Sequence, residues 1–429
     1  MEIYIVQEGD TLYTIAESFG VAVDRLAQDN GINYPYTLLI GQALIIAFPR
    51  EVHIVQIGDT LQSIAEQYQV PVMQILRNNS FLSERNVLYP GETLVISYYT
   101  SGNIYTNGYV YAFIKKDALI KILPNLTFLS VLNYRSSERG EIIQFRDDEE
   151  IIKTALEYGV SPLLMISTLS AMGEPNIEVA YSILMSEEYQ NRSIENILEI
   201  LKRKGYHGIN MVFNYLNISS QPLYINFVRK ISQRIKLEGM LFYITINIKI
   251  EKANGDYRIE QVDYSTISSY VDGLILLKFV WGANEDPPAP VSNINYVRKM
   301  IEYLIQSVPP EKIMIGNPIL GYDWKLPYIP ERTVATSMTI NSVYELAYET
   351  NAVIQYDEES LTPYFYYNQL IGIPVEHIVW FIDVRSINAI NELVKEYNLG
   401  GSGIWNIMFY YPQLWTSINS QFDIIKLIP

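Results

Sequence analysis

The sequence predicts an α/β protein. It reads as a (β/α)8 barrel with a small α+β insertion after its seventh strand, preceded by two small βααβ modules. Three observations carry that expectation. A motif near the start returns 49 positions later, from Val6 to Val55. Eight near-continuous apolar runs then alternate with helical segments to the end of the chain. Between the seventh and eighth runs, the rhythm breaks into strand-like pieces.

The repeat comes first. Val6-Gln7-Glu8-Gly9-Asp10-Thr11-Leu12 recurs as Val55-Gln56-Ile57-Gly58-Asp59-Thr60-Leu61. Ile15-Ala16-Glu17 likewise matches Ile64-Ala65-Glu66, Asn30 matches Asn79, and Gly41-Gln42-Ala43-Leu44 matches Gly91-Glu92-Thr93-Leu94. Within one unit, residues 4–6 form a short strand and Gly9 permits the turn out of it. Asp10 or Thr11 caps a helix whose Leu12, Ile15, Ala16 and Phe19 share a face. Val23, Leu26 and Ala27 mark a second helix, and residues 43–47 a closing strand. The modules are set at 1–49 and 50–98, with a polar linker at 99–107 and the barrel at 108–429.

These features resemble the lysin motif (LysM), a family that binds N-acetylglucosamine-containing glycans, peptidoglycan or chitin, in a shallow groove between two loops. The resemblance points to Gly9, Asp10, Thr11, Leu12, Asn30, Gly31 and Ile32 in the first module. In the second it points to Gly58, Asp59, Thr60, Leu61, Asn79 and Ser80. The same Gly, Asp and Thr also build the turn and cap, so a structural use and sugar contact both stand open for them. Two weak modules in tandem gain avidity on a polymer of repeated sites.

The barrel strands are expected at 108–113, 126–132, 163–167, 208–215, 241–248, 273–279, 313–318 and 403–408. Helices fall at 149–158, 194–204, 223–237, 296–306 and 386–397. The stretch 324–383 reads as the insertion, beside the open end of the barrel. Strand alternation turns Asn210, Val212 and Asn214 inward, and Ile209, Met211 and Phe213 out toward the helices.

Gly205-Tyr206-His207-Gly208-Ile209-Asn210-Met211-Val212-Phe213-Asn214 resembles the signature strand of glycoside hydrolase family 18, Asp-Gly-x-Asp/Asn-x-Asp-x-Glu. Asn107-Gly108-Tyr109-Val110-Tyr111, Gly316-Asn317-Pro318 and Gly400-Gly401-Ser402-Gly403-Ile404-Trp405-Asn406 extend the likeness, which is to members of the spore-germination type with paired LysM modules. In that family the substrate's own N-acetyl oxygen is the nucleophile. The signature glutamic acid protonates the leaving oxygen, and an aspartate two residues earlier orients the acetamido group.

Here the four marked positions read His207, Asn210, Val212 and Asn214. A neutral amide has no proton to give near pH 7, and general acid catalysis alone is worth roughly two to four orders of magnitude. The sixth strand is altered in parallel. Leu277-Lys278-Phe279-Val280-Trp281 puts Phe279 where the family holds a tyrosine, beside an unexplained Lys278. The resemblance keeps Trp405 as the hydrophobic floor under a sugar, with Trp281 and Tyr322 as stacking groups at the rim. Glu174, Glu285 and Asp286 are the candidate replacement acids.

Composition excludes several function classes. The 429 residues are 49% hydrophobic and 18% charged, enough for a large core. A net charge of −16 with no basic cluster disfavours nucleic acid. No cysteine is present, and His53, His207 and His377 lie far apart without ligand spacing, so neither a metal nor another cofactor is expected. The start shows no secretory signal pattern, and no apolar run spans a bilayer. Synthesis in the cytoplasm and deposition in a spore layer (cortex, coat or exosporium) follow as expectations.

The leading expectation is a catalytically inactive protein that binds or scaffolds peptidoglycan or a chitin-like glycan, with other spore-layer proteins as further partners. An active N-acetylglucosaminidase with a non-standard acid, and a self-assembling structural protein without sugar binding, are the alternatives.

Overall fold

The computed structural model describes every residue except 86, 168–175, 213–219, 254–255, 278–284, 370–373 and 429. Its barrel strands are β1 (Asn103–Tyr111), β2 (Phe128–Ser136), β3 (Ser161–Ser167), β4 (Gly208–Val212), β5 (Leu241–Ile246), β6 (Gly273–Leu276), β7 (Ile313–Pro318) and β8 (Gly401–Trp405). Each pairs in parallel with the next. β8 closes the ring on β1, from Gly401↔Tyr105 to Ile404↔Gly108. This is the expected (β/α)8, or TIM, barrel.

Alternation sorts the side chains as the sequence requires. Ile209 and Met211 enter the outer core with the helices. Val212 enters an inner core with Tyr109, Phe128, Met165, Ile275 and Trp405. An inward side chain at Gly403 would meet Ile275, since a Cβ there would lie 2.8 Å from Ile275 Cγ2.

Several boundaries differ from expectation, and two of them have a clear physical reason. β1 begins at Asn103, inside the stretch 99–107 expected as linker. Its polar residues are strand residues with partners: Thr106 Oγ1 donates to Asn125 O (2.7 Å), and Thr127 Oγ1 accepts from Thr106 N (3.1 Å). β8 begins at Gly401 rather than at 403. A Cβ at Gly401 would lie 1.9 Å from Tyr105 O, so the glycine that hid the strand is what lets β8 close on β1.

The insertion is a five-stranded antiparallel sheet ordered Thr336–Met338, Gly321–Lys325, Val375–Phe381, Thr362–Gln369, Gln355–Asp357, with the helix Ile340–Glu349. It starts at Gly321, three residues before the expected 324. Tyr322 and Trp324 on its barrel-facing side join the inner core.

Each front module is βααβ. Glu2–Ile5 pairs antiparallel with Ala43–Ile46 around the helices Leu12–Phe19 and Val23–Asn30. Glu51–Ile54 pairs with Thr93–Ser97 around Leu61–Tyr68 and Val72–Asn78. Thr11 and Thr60 cap the first helices through reciprocal bonds with Thr14 and Ser63.

Both modules dock on the barrel. Gln413 Nε2 donates to Asn30 Oδ1 (2.9 Å) and Ala43 O (2.7 Å), and Ile354 N donates to Ile40 O (3.0 Å). Arg25 ties the modules together through Asn78 O (3.0 Å) and Tyr98 OH (2.6 Å). Asn419 Nδ2 donates to Arg77 O (3.3 Å) and brings in the second module. No described helix is long and apolar enough to cross a membrane.

Candidate functional site

β4 presents the signature positions, and it separates them. His207 precedes the strand at its N-terminal end, where its N–H donates to Pro162 O (2.9 Å) and its carbonyl accepts from Leu241 N (2.9 Å). That is the floor of the barrel, opposite the mouth where such folds carry chemistry. Burial holds the His207 imidazole below its ordinary pKa.

Asn210 lies inside the barrel within a chain of neutral hydrogen bonds. Its Nδ2 donates to Ser130 Oγ (2.9 Å), and Ser130 Oγ donates to Asn107 Oδ1 (2.8 Å). Thr245 Oγ1 donates to Asn210 Oδ1 (2.8 Å), which leaves Tyr109 OH to donate to Thr245 Oγ1 across 2.6 Å. Burial pushes the Tyr109 hydroxyl well above its ordinary pKa, so it stays protonated at any physiological pH.

Val212 is 1% exposed and packs in the inner core with Met165, Ile275 and Leu277. Asn214, Lys278, Phe279, Val280, Trp281 and Glu174 lie outside the described residues. Among the described residues, no inward position of the eight strands carries a carboxyl group. Neutral donors and acceptors of this kind hold a polar ligand in place but supply no acid for glycosidic cleavage.

Glu285 and Asp286 are exposed, and their backbone carbonyls are held by the insertion. Trp324 Nε1 donates to Asp286 O (2.9 Å) and Tyr328 OH to Glu285 O (2.7 Å).

Trp405 ends β8 at the mouth. It is 1% exposed, with its ring edge-on to Tyr109 (5.7 Å) and Tyr111 (6.0 Å). Its remaining surface lines a cavity of about 210 Å³ together with Tyr111, Asn406, Phe409 and Tyr410. Tyr322 differs from expectation. It is 2% exposed, packed against Trp324 at 5.5 Å, and sits in the seam between insertion and barrel instead of at the rim. Burial pushes its hydroxyl up to about 12.

The module loops show what their repeated residues do. Asp10 Oδ2 accepts from Gln7 N (2.7 Å) and Tyr4 OH (2.8 Å), and Asp59 Oδ2 from Gln56 N (2.7 Å). Gly9 and Gly58 turn with φ of 85° and 95°. Asn30 is buried and spends its amide on Leu26 O, Ile45 N and Ile45 O, at 2.9, 2.7 and 2.9 Å. Asn79 repeats the pattern with Ile75 O, Val95 N and Val95 O.

The buried side chains of Asn30, Asn79 and Leu12 therefore serve the modules' own cores. Ile32 packs against the first module's core, and Leu61 against the second's. Ser80 opens a short 3-10 turn beside the junction with the first module. Gly9, Thr11, Gly31, Gly58 and Thr60 remain at the surface.

The sequence reading missed Ser130, Thr245, Tyr111 and Asn341. The alternation that turned Asn210 inward also turned Ser130 and Thr245 inward, and was the available signal for them.

Comparison with known proteins agrees with this architecture. The family model "Glycosyl hydrolases family 18" matches residues 96–409, and the LysM domain model matches 4–47 and 53–97. The cortical fragment-lytic enzyme of Bacillus subtilis (strain 168) is 31% identical over 437 residues, covering 99% of each chain. The Bacillus anthracis protein of the same name is 30% identical over 432 residues, again with 99% of each covered. Among solved structures, the Bacillus cereus spore cortex-lytic enzyme SleL superposes with a TM-score of 0.79 at 29% identity, covering 99% of both chains. With its barrel, its paired front modules and these full-length likenesses, the chain belongs to glycoside hydrolase family 18, in a LysM-bearing branch similar to the spore cortex-lytic proteins.

Proposed function

We propose that this chain binds N-acetylglucosamine-containing glycan, peptidoglycan above all, and holds it uncut in a spore envelope. The observation that carries the reading is the interior of β4. Val212, where the family pattern has an aspartate, is sealed in an apolar core, and Asn210 is engaged in a network of neutral groups. What supports retained binding is the cavity beside the buried Trp405, where Tyr111, Phe409 and Tyr410 with the flanking Asn406 suit the apolar face and the polar rim of a sugar ring. The names of the similar proteins support the spore setting.

Those names also favour a second reading, hydrolysis by a non-standard acid. Replacing Glu174, Glu285 or Asp286 would then abolish release of reducing ends. Self-assembly without sugar binding is separated by co-sedimentation of the purified chain with insoluble spore peptidoglycan. Retention in the pellet is expected. A chain left wholly in the supernatant would sink the binding proposal.

A further inference from the structure

A second cavity, of about 790 Å³, lies where the first LysM module meets the barrel. One wall is the helix Val23–Asn30 with the loop after it. The other is the insertion helix Ile340–Glu349 with the segment following β8. Its lining takes in Asn30, Gly31 and Ile32 but none of Gly9 to Leu12, so only one of the two LysM loops borders it. Asn341, Tyr410 and Tyr411 line this cavity and also the cavity over Trp405. The two spaces are thus neighbours that share a wall.

The chemistry of the lining is aromatic and amide, with few charges. Tyr34 is 82% exposed on the module side and Tyr348 is 56% exposed on the insertion side. Tyr36 backs Tyr34 edge-on at 5.7 Å, which limits the freedom of that ring. Asn33 and Asn341 add amides on opposite walls. Rings offering a flat apolar face beside amide donors and acceptors are the groups that recognise a pyranose with its hydroxyls and acetamido substituent. The net charge of −16 disfavours a polyanion such as nucleic acid as the occupant.

The walls are also fixed. Gln413 bonds Asn30 and Ala43, and Ile354 N bonds Ile40 O. A Cβ at Gly31 would lie 3.0 Å from Pro412 Cγ, so the module loop rests directly on the segment after β8. A groove built this way is formed before its ligand arrives, which lowers the entropic cost of binding an extended chain.

We infer that the two cavities form one composite trough, in which a single N-acetylglucosamine polymer runs from Trp405 across Asn341 and Tyr410 to Tyr34 of the first module. The inference rests on the glycan-binding reading above and specifies its geometry. The module and the barrel then act as one site, rather than as two sites on a tether.

Calorimetric titration of the full-length chain with chitotriose and chitohexaose tests it, using the parent, Tyr34→Ala and Tyr348→Ala. Both substitutions are at exposed positions, and a thermal melt of each variant verifies folding. Chitohexaose is expected to bind at least tenfold more tightly than chitotriose. Each substitution is expected to weaken chitohexaose about threefold to tenfold.

Equal affinity for the two oligomers, or chitohexaose affinity indifferent to both substitutions, would overturn the composite trough while leaving glycan binding intact. Absence of binding to either oligomer, together with no retention on peptidoglycan, would overturn both.

Discussion

Val212→Asp restores the residue type of the family pattern and asks whether the site still accepts it. Val212 is 1% exposed among Met165, Ile275 and Leu277. Losing the burial of its side chain costs about 1.5–3 kcal/mol. Leaving a carboxyl group there without a partner costs about 1–3 kcal/mol more. The total of about 2.5–6 kcal/mol acts on a barrel domain of roughly 300 residues, whose unfolding entropy is about 0.6 kcal/mol/K, so the midpoint falls by about 4–10 °C.

The direction with pH is also set. A carboxyl in this core has its folded pKa raised, because burial disfavours the charge. Above pH about 4 the unfolded chain ionises while the folded one does not, so the deficit deepens from pH 4 to neutrality. Near-UV circular dichroism melts of the parent, Val212→Asp and the near-isosteric Val212→Thr at both pH values measure it. A Val212→Asp variant that melts with the parent at neutral pH would refute the reasoning. It would show that the position remains wet and polar, as in a working cleft.

Three further outcomes are expected. Asn30→Ala removes bonds to Leu26 O, Ile45 and Gln413 and leaves buried groups unpaired, so urea unfolding should show a loss of about 2–4 kcal/mol. Gly41→Ala places a side chain at φ 84°, with its Cβ 1.9 Å from Ile354 O. It should loosen the first module from the insertion and speed hydrogen exchange at the Ile354 amide, and unchanged exchange would contradict the docking described above. His207 is held below its ordinary pKa, so the unfolded chain takes up its proton first as pH falls through about 6.5. Parent stability should decline there and level off below the lowered folded pKa. Melts of His207→Gln across the same range should show a shallower decline.

Much of the fold was legible because it rests on local periodicity. The period-two alternation of Ile209, Asn210, Met211 and Val212 gave the facing of β4, and the returning Gly-Asp-Thr-Leu gave both modules. The start of β8 was hidden for a physical reason. Gly401 has no strand propensity of its own and is there because Tyr105 O leaves no room for a side chain.

The site was legible only in part. Trp405 could be placed from its position in a motif. The role of Asn30 could not, because one buried amide that bridges a helix to a strand looks in sequence like a surface amide meant for sugar. Docking of the modules was beyond reach. It depends on pairs such as Gln413 with Asn30, 383 positions apart, and no local pattern records such a contact.

The central claim is that this chain holds glycan without cutting it. Its most direct test is a single incubation of the purified chain with insoluble spore peptidoglycan, followed by reducing-end measurement in the supernatant and protein measurement in the pellet. The account predicts protein in the pellet and reducing ends no higher than in buffer alone. Reducing ends that rise with time and with the amount of chain would contradict it.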